Sequence, residues 1–173
     1  RRSGAPRVAF LTLGEGGDKE MVGIYMTAKA LEDAIPKLEA EGVDAVVLVI
    51  NSGGGLALEV QRLSDVIHEK YKPRFRTVAW IQSAISAAAM TAHCLEEIYF
   101  MPQGNYGACT MFSGALVAAK DRRLEEVLYQ MEKISARGGY DPKIMRSMQV
   151  DDALSCSIDE NGVVSWFQDA SSG

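Results

Sequence analysis

The sequence predicts an α/β domain built from repeated strand–helix units around a mostly parallel sheet. Two observations carry that expectation: short apolar runs rich in β-branched residues alternate with amphipathic helical stretches, and glycine-rich breaks close several of the runs. A chain of 173 residues is long enough for one domain with a substantial core. The hydrophobic share of 47% and charged share of 24% exclude disordered and low-complexity classes. No internal repeat period suggests a solenoid.

The elements follow in order. Arg7 to Leu13 (RVAFLTL) alternates apolar and polar residues and stops at Gly14, Gly16 and Gly17, as a first strand ending in a loop. From Lys19 to Glu41, Met21, Ile24, Ala28, Leu31, Ile35 and Leu38 recur at helical spacing, with Pro36 expected to kink or divide the helix. Ala45 to Ile50 (AVVLVI) is the clearest strand, an unbroken apolar run of the kind covered on both faces, so two covering layers are expected. After Asn51-Ser52-Gly53-Gly54-Gly55, the stretch Leu56 to Lys70 is helical through Leu56, Val60, Leu63 and Ile67.

Thr77 to Ile81 (TVAWI) is the next strand, and the alanine-rich Ser86 to Leu95 the next helix. Ile98 to Met101 reads as a short strand, Pro102 to Gly104 as a turn, and Asn105 to Ala108 as a second extended piece. Asp121 to Arg137 is a charged amphipathic helix stopped by Gly138-Gly139. Another begins with Asp141 as N-cap and Pro142 in the first helical position. The segment Leu154 to Phe167 reads as a hairpin about Asp159-Glu160-Asn161-Gly162. The chain divides into a domain over residues 1–150 and a C-terminal hairpin or incomplete tail over residues 151–173.

A net charge of −5 with no basic run argues against nucleic acid as a partner. Cys94, Cys109 and Cys156 have no metal-ligand or disulfide-framework spacing and read as free thiols; no metal or cofactor is expected. The longest nearly apolar stretch, Val78 to Met90, falls short of the roughly 18 apolar residues that span a bilayer. No signal-peptide pattern opens the chain, although Arg1 and Arg2 could be what remains once a targeting segment is removed.

Two places could carry chemistry. Gly53, Gly54 and Gly55 lie between a strand and a helix start, where small residues let backbone N–H groups turn toward an oxyanion. They lack the spacing of a dinucleotide fold or a P-loop, and a plain tight turn is the alternative. Ser86 heads the alanine-rich helix, where a hydroxyl after a buried strand suits a nucleophile; an ordinary N-cap is the alternative, and Ser83 competes on spacing. A serine nucleophile needs a base. His68 falls mid-helix on a solvated face, and His93 lies two turns along the Ser86 helix, ~10 Å away at ~1.5 Å per residue. A lysine in uncharged surroundings can serve instead, and Lys120, after SGALVAA, is the first choice. Lys133, among charged neighbours, is the second.

These residues resemble the Clp-protease/crotonase superfamily, and within it the signal-peptide-peptidase and NfeD-type serine proteases. AVVLVINSGGG is similar to that family's strand and Pro-Gly-Gly oxyanion turn, with Gly53 in the place of proline. SAAAMTAHCLEEIYFMPQGNYG, from Ser86 to Gly107, is similar to its nucleophile helix, acidic-Ile-Tyr strand, Pro-x-Gly turn and closing Ile-Gly; Lys120-Asp121 before a long helix resembles its catalytic lysine. The resemblance implies a ClpP/crotonase-like fold and a Ser-Lys peptidase. In it Ser86 would be the nucleophile, Lys120 the base, and the amides of Gly54, Gly55 and Ala87 the oxyanion hole. Departures are Ala88 where a glycine usually follows the nucleophile, a short stretch from Gly107 to Lys120, and a tail after Asp151 that does not match.

By the same resemblance the substrate is an extended apolar peptide or protein segment, from a signal peptide or a membrane-associated protein. It would lie as an added strand near residues 108–118. A periplasmic or membrane-associated location and a homo-oligomer are implied, with Met21, Met26, Met131, Met145 and Met148 offering either surface for assembly or plain core. A catalytically inactive scaffold and a crotonase-type acyl-thioester enzyme are the rival readings of the same fold.

Overall fold

The computed structural model describes residues 4–113, 117–118, 121–150 and 152–168. Strands β1 (Val8–Leu13), β2 (Ala45–Ser52), β3 (Arg76–Ile85) and β4 (Ile98–Gly107) form one sheet in the order β1-β2-β3-β4, every neighbour parallel. Helices α1 (Ala28–Ala40), α2 (Ala57–Val66) and α3 (Ala87–Ala92) connect successive strands. Because strand order in space equals strand order in sequence, right-handed crossovers always step the same way and place all three helices on one face.

That topology corrects the expectation of two covering layers. Along β2, Val46, Leu48, Ile50 and Ser52 are fully buried, whereas Val47 and Val49 between them are only partly covered. On the second face, Thr12, Val49, Trp80 and Tyr99 stand in register across the four strands. Phe10 meets Trp80 edge-on there at 6.4 Å between ring centroids, and Phe10, Trp80 and Tyr99 are all exposed. The β-branched run of β2 therefore reflects strand propensity and central position in the sheet more than burial on both sides.

The expected helix from Lys19 starts only at Ala28. A short 3-10 turn occupies Gly17–Lys19, and Val22 then bridges to Gly55: its N–H donates to the Gly54 carbonyl at 2.9 Å and its carbonyl accepts from Leu56 N–H at 2.9 Å. Those long-range bonds outcompete helical periodicity, and Gly23, at φ +90°, turns the chain where other residues would be strained. Thr27 caps α1, its Oγ1 accepting from Ala30 N–H at 3.2 Å, and Pro36 lies inside the helix without dividing it.

Past α2 the chain makes a π-helical turn, Ile67–Tyr71, in which the buried Tyr71 hydroxyl donates to the Leu31 carbonyl of α1 at 2.6 Å. The two extended pieces expected around Pro102–Gly104 are one strand, β4, with a bulge. Phe100 pairs with Ile81 and Asn105 with Ser83, so four residues of β4 oppose Gln82 alone. Proline, without an N–H to give the ladder, falls within that bulge.

After β4 come the two-residue strands β5 (Phe112–Ser113) and β6 (Val117–Ala118), then α4 (Asp121–Gly138) and α5 (Pro142–Gln149), whose N-cap Asp141 accepts from Lys143 N–H at 2.9 Å. Arg137 near the end of α4 is tied to α2 by an ion pair with Asp65 at 2.7 Å and a hydrogen bond to Ser64 at 2.8 Å. The hairpin forms as β7 (Leu154–Ile158) and β8 (Val164–Gln168), its turn held by Asp159 Oδ1 accepting from Asn161 and Val163 N–H groups. Met26, Met131 and Met145 are core residues, which removes three of the five methionines from any assembly surface; Met21 is exposed.

Candidate active site

Strand β3 ends at Ile85 and α3 begins at Ala87, so the reversal between them falls on Ser86. Its backbone sits at φ 55°, ψ −122°, a conformation that glycine favours and that costs other residues of order 1–3 kcal/mol. Three contacts hold it there. Ser86 N–H donates to the Gly107 carbonyl at 2.8 Å; its own carbonyl accepts from Met90 N–H at 3.1 Å and from the Cys109 thiol at 3.7 Å. The chain beneath is itself sharply turned, with Gly107 at φ 125° and Ala108 at φ 51°. An ordinary N-cap serine accepts from its own helix; the Ser86 hydroxyl makes no such bond.

The glycine turn after β2 packs against this reversal. A Cβ added to Gly54 would stand 2.8 Å from Ser86 Cβ and 3.3 Å from the Ala87 nitrogen, so only glycine lets the two turns meet. The three amides of the turn have different partners. Gly53 N–H donates to Glu20 Oε2 at 3.2 Å and Gly54 N–H to Ser52 Oγ at 3.1 Å, while the amides of Gly55 and Ala87 have no acceptor among the described residues. Gly55, Ser86 and Ala87 line one cleft of about 300 Å³, with Leu56, Leu58, Met90, Met111 and Phe112 supplying an apolar wall. Arg123 of α4 is the one charged residue in that lining among the described residues.

The remaining sequence candidates separate. Lys120 lies outside the described residues. Lys133 is exposed on α4 with its Nζ 4.5 Å above the Tyr129 ring, and is absent from the cleft lining. Ser83 is inside β3, paired with Asn51 and Asn105, and His68 is exposed on the turn after α2. Cys94 and Cys109 are buried free thiols and Cys156 an exposed one. The carboxylate of Glu20 and the hydroxyl of Ser52, which meet the glycine turn directly, are missed by reading the sequence, because Glu20 falls within the helical periodicity. The breaks at Gly16, Gly17 and Gly23 are the signals against that helix.

His93 takes a structural place instead of a catalytic one. Its Nδ1 bonds the Tyr106 hydroxyl at 2.8 Å, its ring stacks on Tyr140 at 4.6 Å, and Nε2 is buried with no hydrogen-bond partner among the described residues. Burial pushes its pKa down to about 4. The folded state therefore favours neutral imidazole, and the unfolded chain binds the extra proton between the ordinary value near 6.5 and about 4. Stability is unaffected by this group above that window and falls through it on acidification, by up to about 3 kcal/mol. Urea unfolding at pH 7.0 and 4.5 is expected to show a smaller loss in His93→Gln than in the wild type; equal losses would remove His93 as the cause.

No family model matches the chain. Over 122 residues, 70% of its length, it is 30% identical to the membrane protein NfeD1b of Bacillus subtilis strain 168, and it spans 26% of that protein. Among solved structures it is similar to the 1510-N membrane-bound stomatin-specific protease in a serine-to-alanine variant. The TM-score is 0.68 at 16% identity, covering 85% of this chain and 72% of that one. A lysine-to-alanine variant of 1510-N in complex with a substrate peptide gives 0.66 at 16% identity, covering 85% and 68%. A third structure, the 1510-N membrane protease specific for a stomatin homolog from Pyrococcus horikoshii, gives 0.58 at 15% identity, covering 83% and 64%.

The chain has a Clp-protease-like fold and is similar in sequence to an NfeD-type membrane protein. Its mixed α/β architecture with a parallel four-stranded sheet is a Clp-protease-like fold. No helix among the described residues is long and apolar enough to cross a membrane.

Proposed function

We propose that the domain is a serine endopeptidase working through a Ser-Lys dyad. The observation that carries this reading is the strained turn at Ser86, which lines a cleft with Gly55 and Ala87, whose amides have no acceptor among the described residues. Lys120 takes the Ser86 proton onto Nζ as Oγ bonds the peptide carbonyl carbon. The carbonyl oxygen becomes an oxyanion held by the Gly55 and Ala87 N–H groups; Gly54, expected as a third donor, gives its N–H to Ser52 Oγ instead. Collapse of that intermediate breaks the C–N bond, and the amine leaves with the proton returned from Lys120. Water, deprotonated by the same lysine, then attacks the ester and frees Ser86.

The substrate is an extended apolar peptide or protein segment. Leu56, Leu58, Met111 and Phe112 in the cleft wall support that class, and so do the membrane-bound protease among the structural neighbours and the membrane protein it resembles in sequence. The exposed aromatic face of Phe10, Trp80 and Tyr99 supports assembly of several copies, and a membrane-associated setting suits such substrates. Cleavage of an apolar fluorogenic peptide by the purified domain tests the reading. Loss of turnover in both Ser86→Ala and Lys120→Ala is expected; full turnover in Lys120→Ala removes the dyad, and acyl-thioester turnover without peptide cleavage favours a crotonase-type enzyme.

A further inference from the structure

Resting on the peptidase reading, we propose that Glu20 and Ser52 are positioning residues that sort the three consecutive amides of residues 53–55, occupying the first two so that the third is left for the cleft. Three glycines in a row have more backbone freedom than any other tripeptide, and an oxyanion donor must be held where charge develops. Restraint on this turn comes from outside it. Glu20 Oε2 accepts from Gly53 N–H at 3.2 Å, a charge-assisted bond, and Ser52 Oγ accepts from Gly54 N–H at 3.1 Å. The Ser52 hydroxyl in turn donates to the Glu20 carbonyl, which closes a ring of bonds between the two segments.

Ser52 is fully buried, at the end of β2, so its hydroxyl has no water to compete for it. Glu20 is delivered by the bridge of Val22 to Gly55, two residues further on. The outcome is selective: Gly53 and Gly54 are occupied, and the Gly55 amide, without an acceptor among the described residues, lines the cleft beside Ser86. Glu20 is not among the residues that line the cleft, so it acts through the turn.

The test compares Glu20→Ala, Glu20→Gln, Gly53→Pro and Glu20→Ala combined with Gly53→Pro, reading kcat and KM on an apolar peptide. Glu20→Ala is expected to lower kcat by about 10- to 100-fold with KM within about threefold, since a loosened oxyanion donor weakens the transition state more than ground-state binding. Glu20→Gln, whose amide oxygen still accepts from Gly53 N–H, is expected to stay within about fivefold of wild type. Gly53 is not at positive φ, and a proline there restricts the turn by its own ring while removing the N–H that Glu20 serves. Adding Glu20→Ala to Gly53→Pro is therefore expected to cost less than about threefold.

An unchanged kcat in Glu20→Ala, a Gln variant as impaired as the Ala variant, or full additivity with Gly53→Pro each overturns the inference. Amide hydrogen exchange at residues 53 and 54 reads the clamp apart from catalysis. If the wild type hydrolyses no peptide, the peptidase reading fails by itself. Faster exchange in Glu20→Ala then still supports the clamp, and unchanged exchange overturns it.

Discussion

Ser86→Gly is expected to unfold at a higher temperature than the wild type and to hydrolyse nothing. At φ 55°, ψ −122° the serine occupies backbone space that glycine adopts freely. Relief of that strain is worth about 1–3 kcal/mol, partly offset by the roughly 0.4–1 kcal/mol that glycine loses through the freedom of the unfolded chain. The net expectation is a gain of about 1 kcal/mol, while turnover falls by at least about a thousandfold for want of a nucleophile. Ser86→Ala removes the hydroxyl but keeps the strain, so it should lose activity equally without the gain in stability. Differential scanning calorimetry on the two variants separates these effects. A Gly variant less stable than the Ala variant would mean that the turn is not strained as its dihedral angles indicate.

Gly54→Ala is expected to damage fold and activity together. The new methyl would lie 2.8 Å from Ser86 Cβ and 3.0 Å from the Ile85 carbonyl, and residue 54 is at φ +107°. Neither neighbour is the far end of a flexible chain, so the two turns must separate. Overpacking costs typically about 1–3 kcal/mol, and the disfavoured dihedral adds to it. Displacing the Ala87 amide from Ser86 should lower kcat by about a hundredfold or more. Chemical unfolding and peptide turnover check the two halves. Stability within 0.5 kcal/mol of wild type, the level of an ordinary surface change, would contradict the packing described here.

Much of this architecture is legible in the residues. The run Ala45 to Ile50, the glycine break after it and the helical spacing beyond define a strand–turn–helix unit, and the structure contains it. The Asn161-Gly162 turn and the Asp141-Pro142 helix start are equally local signals, and both elements form. Where sequence reading errs, a distant partner has decided the local structure. Residues 19–27 carry helical periodicity, yet the bridge from Val22 to Gly55 takes their backbone. Pro102 looks like a turn between strands, yet β3 pairs on both sides of it and absorbs the extra residues as a bulge.

The open face of the sheet follows from strand order, which no single segment of sequence contains. At the site, the meeting of Ser86 with the glycine turn is legible through small residues at the right places. The hold of Glu20 and Ser52 on that turn is not, because it depends on which of three adjacent N–H groups each oxygen reaches.

The most direct test of the central claim is labelling of the folded domain with a fluorophosphonate, mapped by peptide mass spectrometry in the wild type, Ser86→Ala and Lys120→Ala. The account predicts a stoichiometric phosphonyl adduct on Ser86 that is lost in Ser86→Ala and strongly slowed in Lys120→Ala. An adduct on Ser83 instead, an undiminished rate in Lys120→Ala, or no adduct on the folded wild type would contradict it.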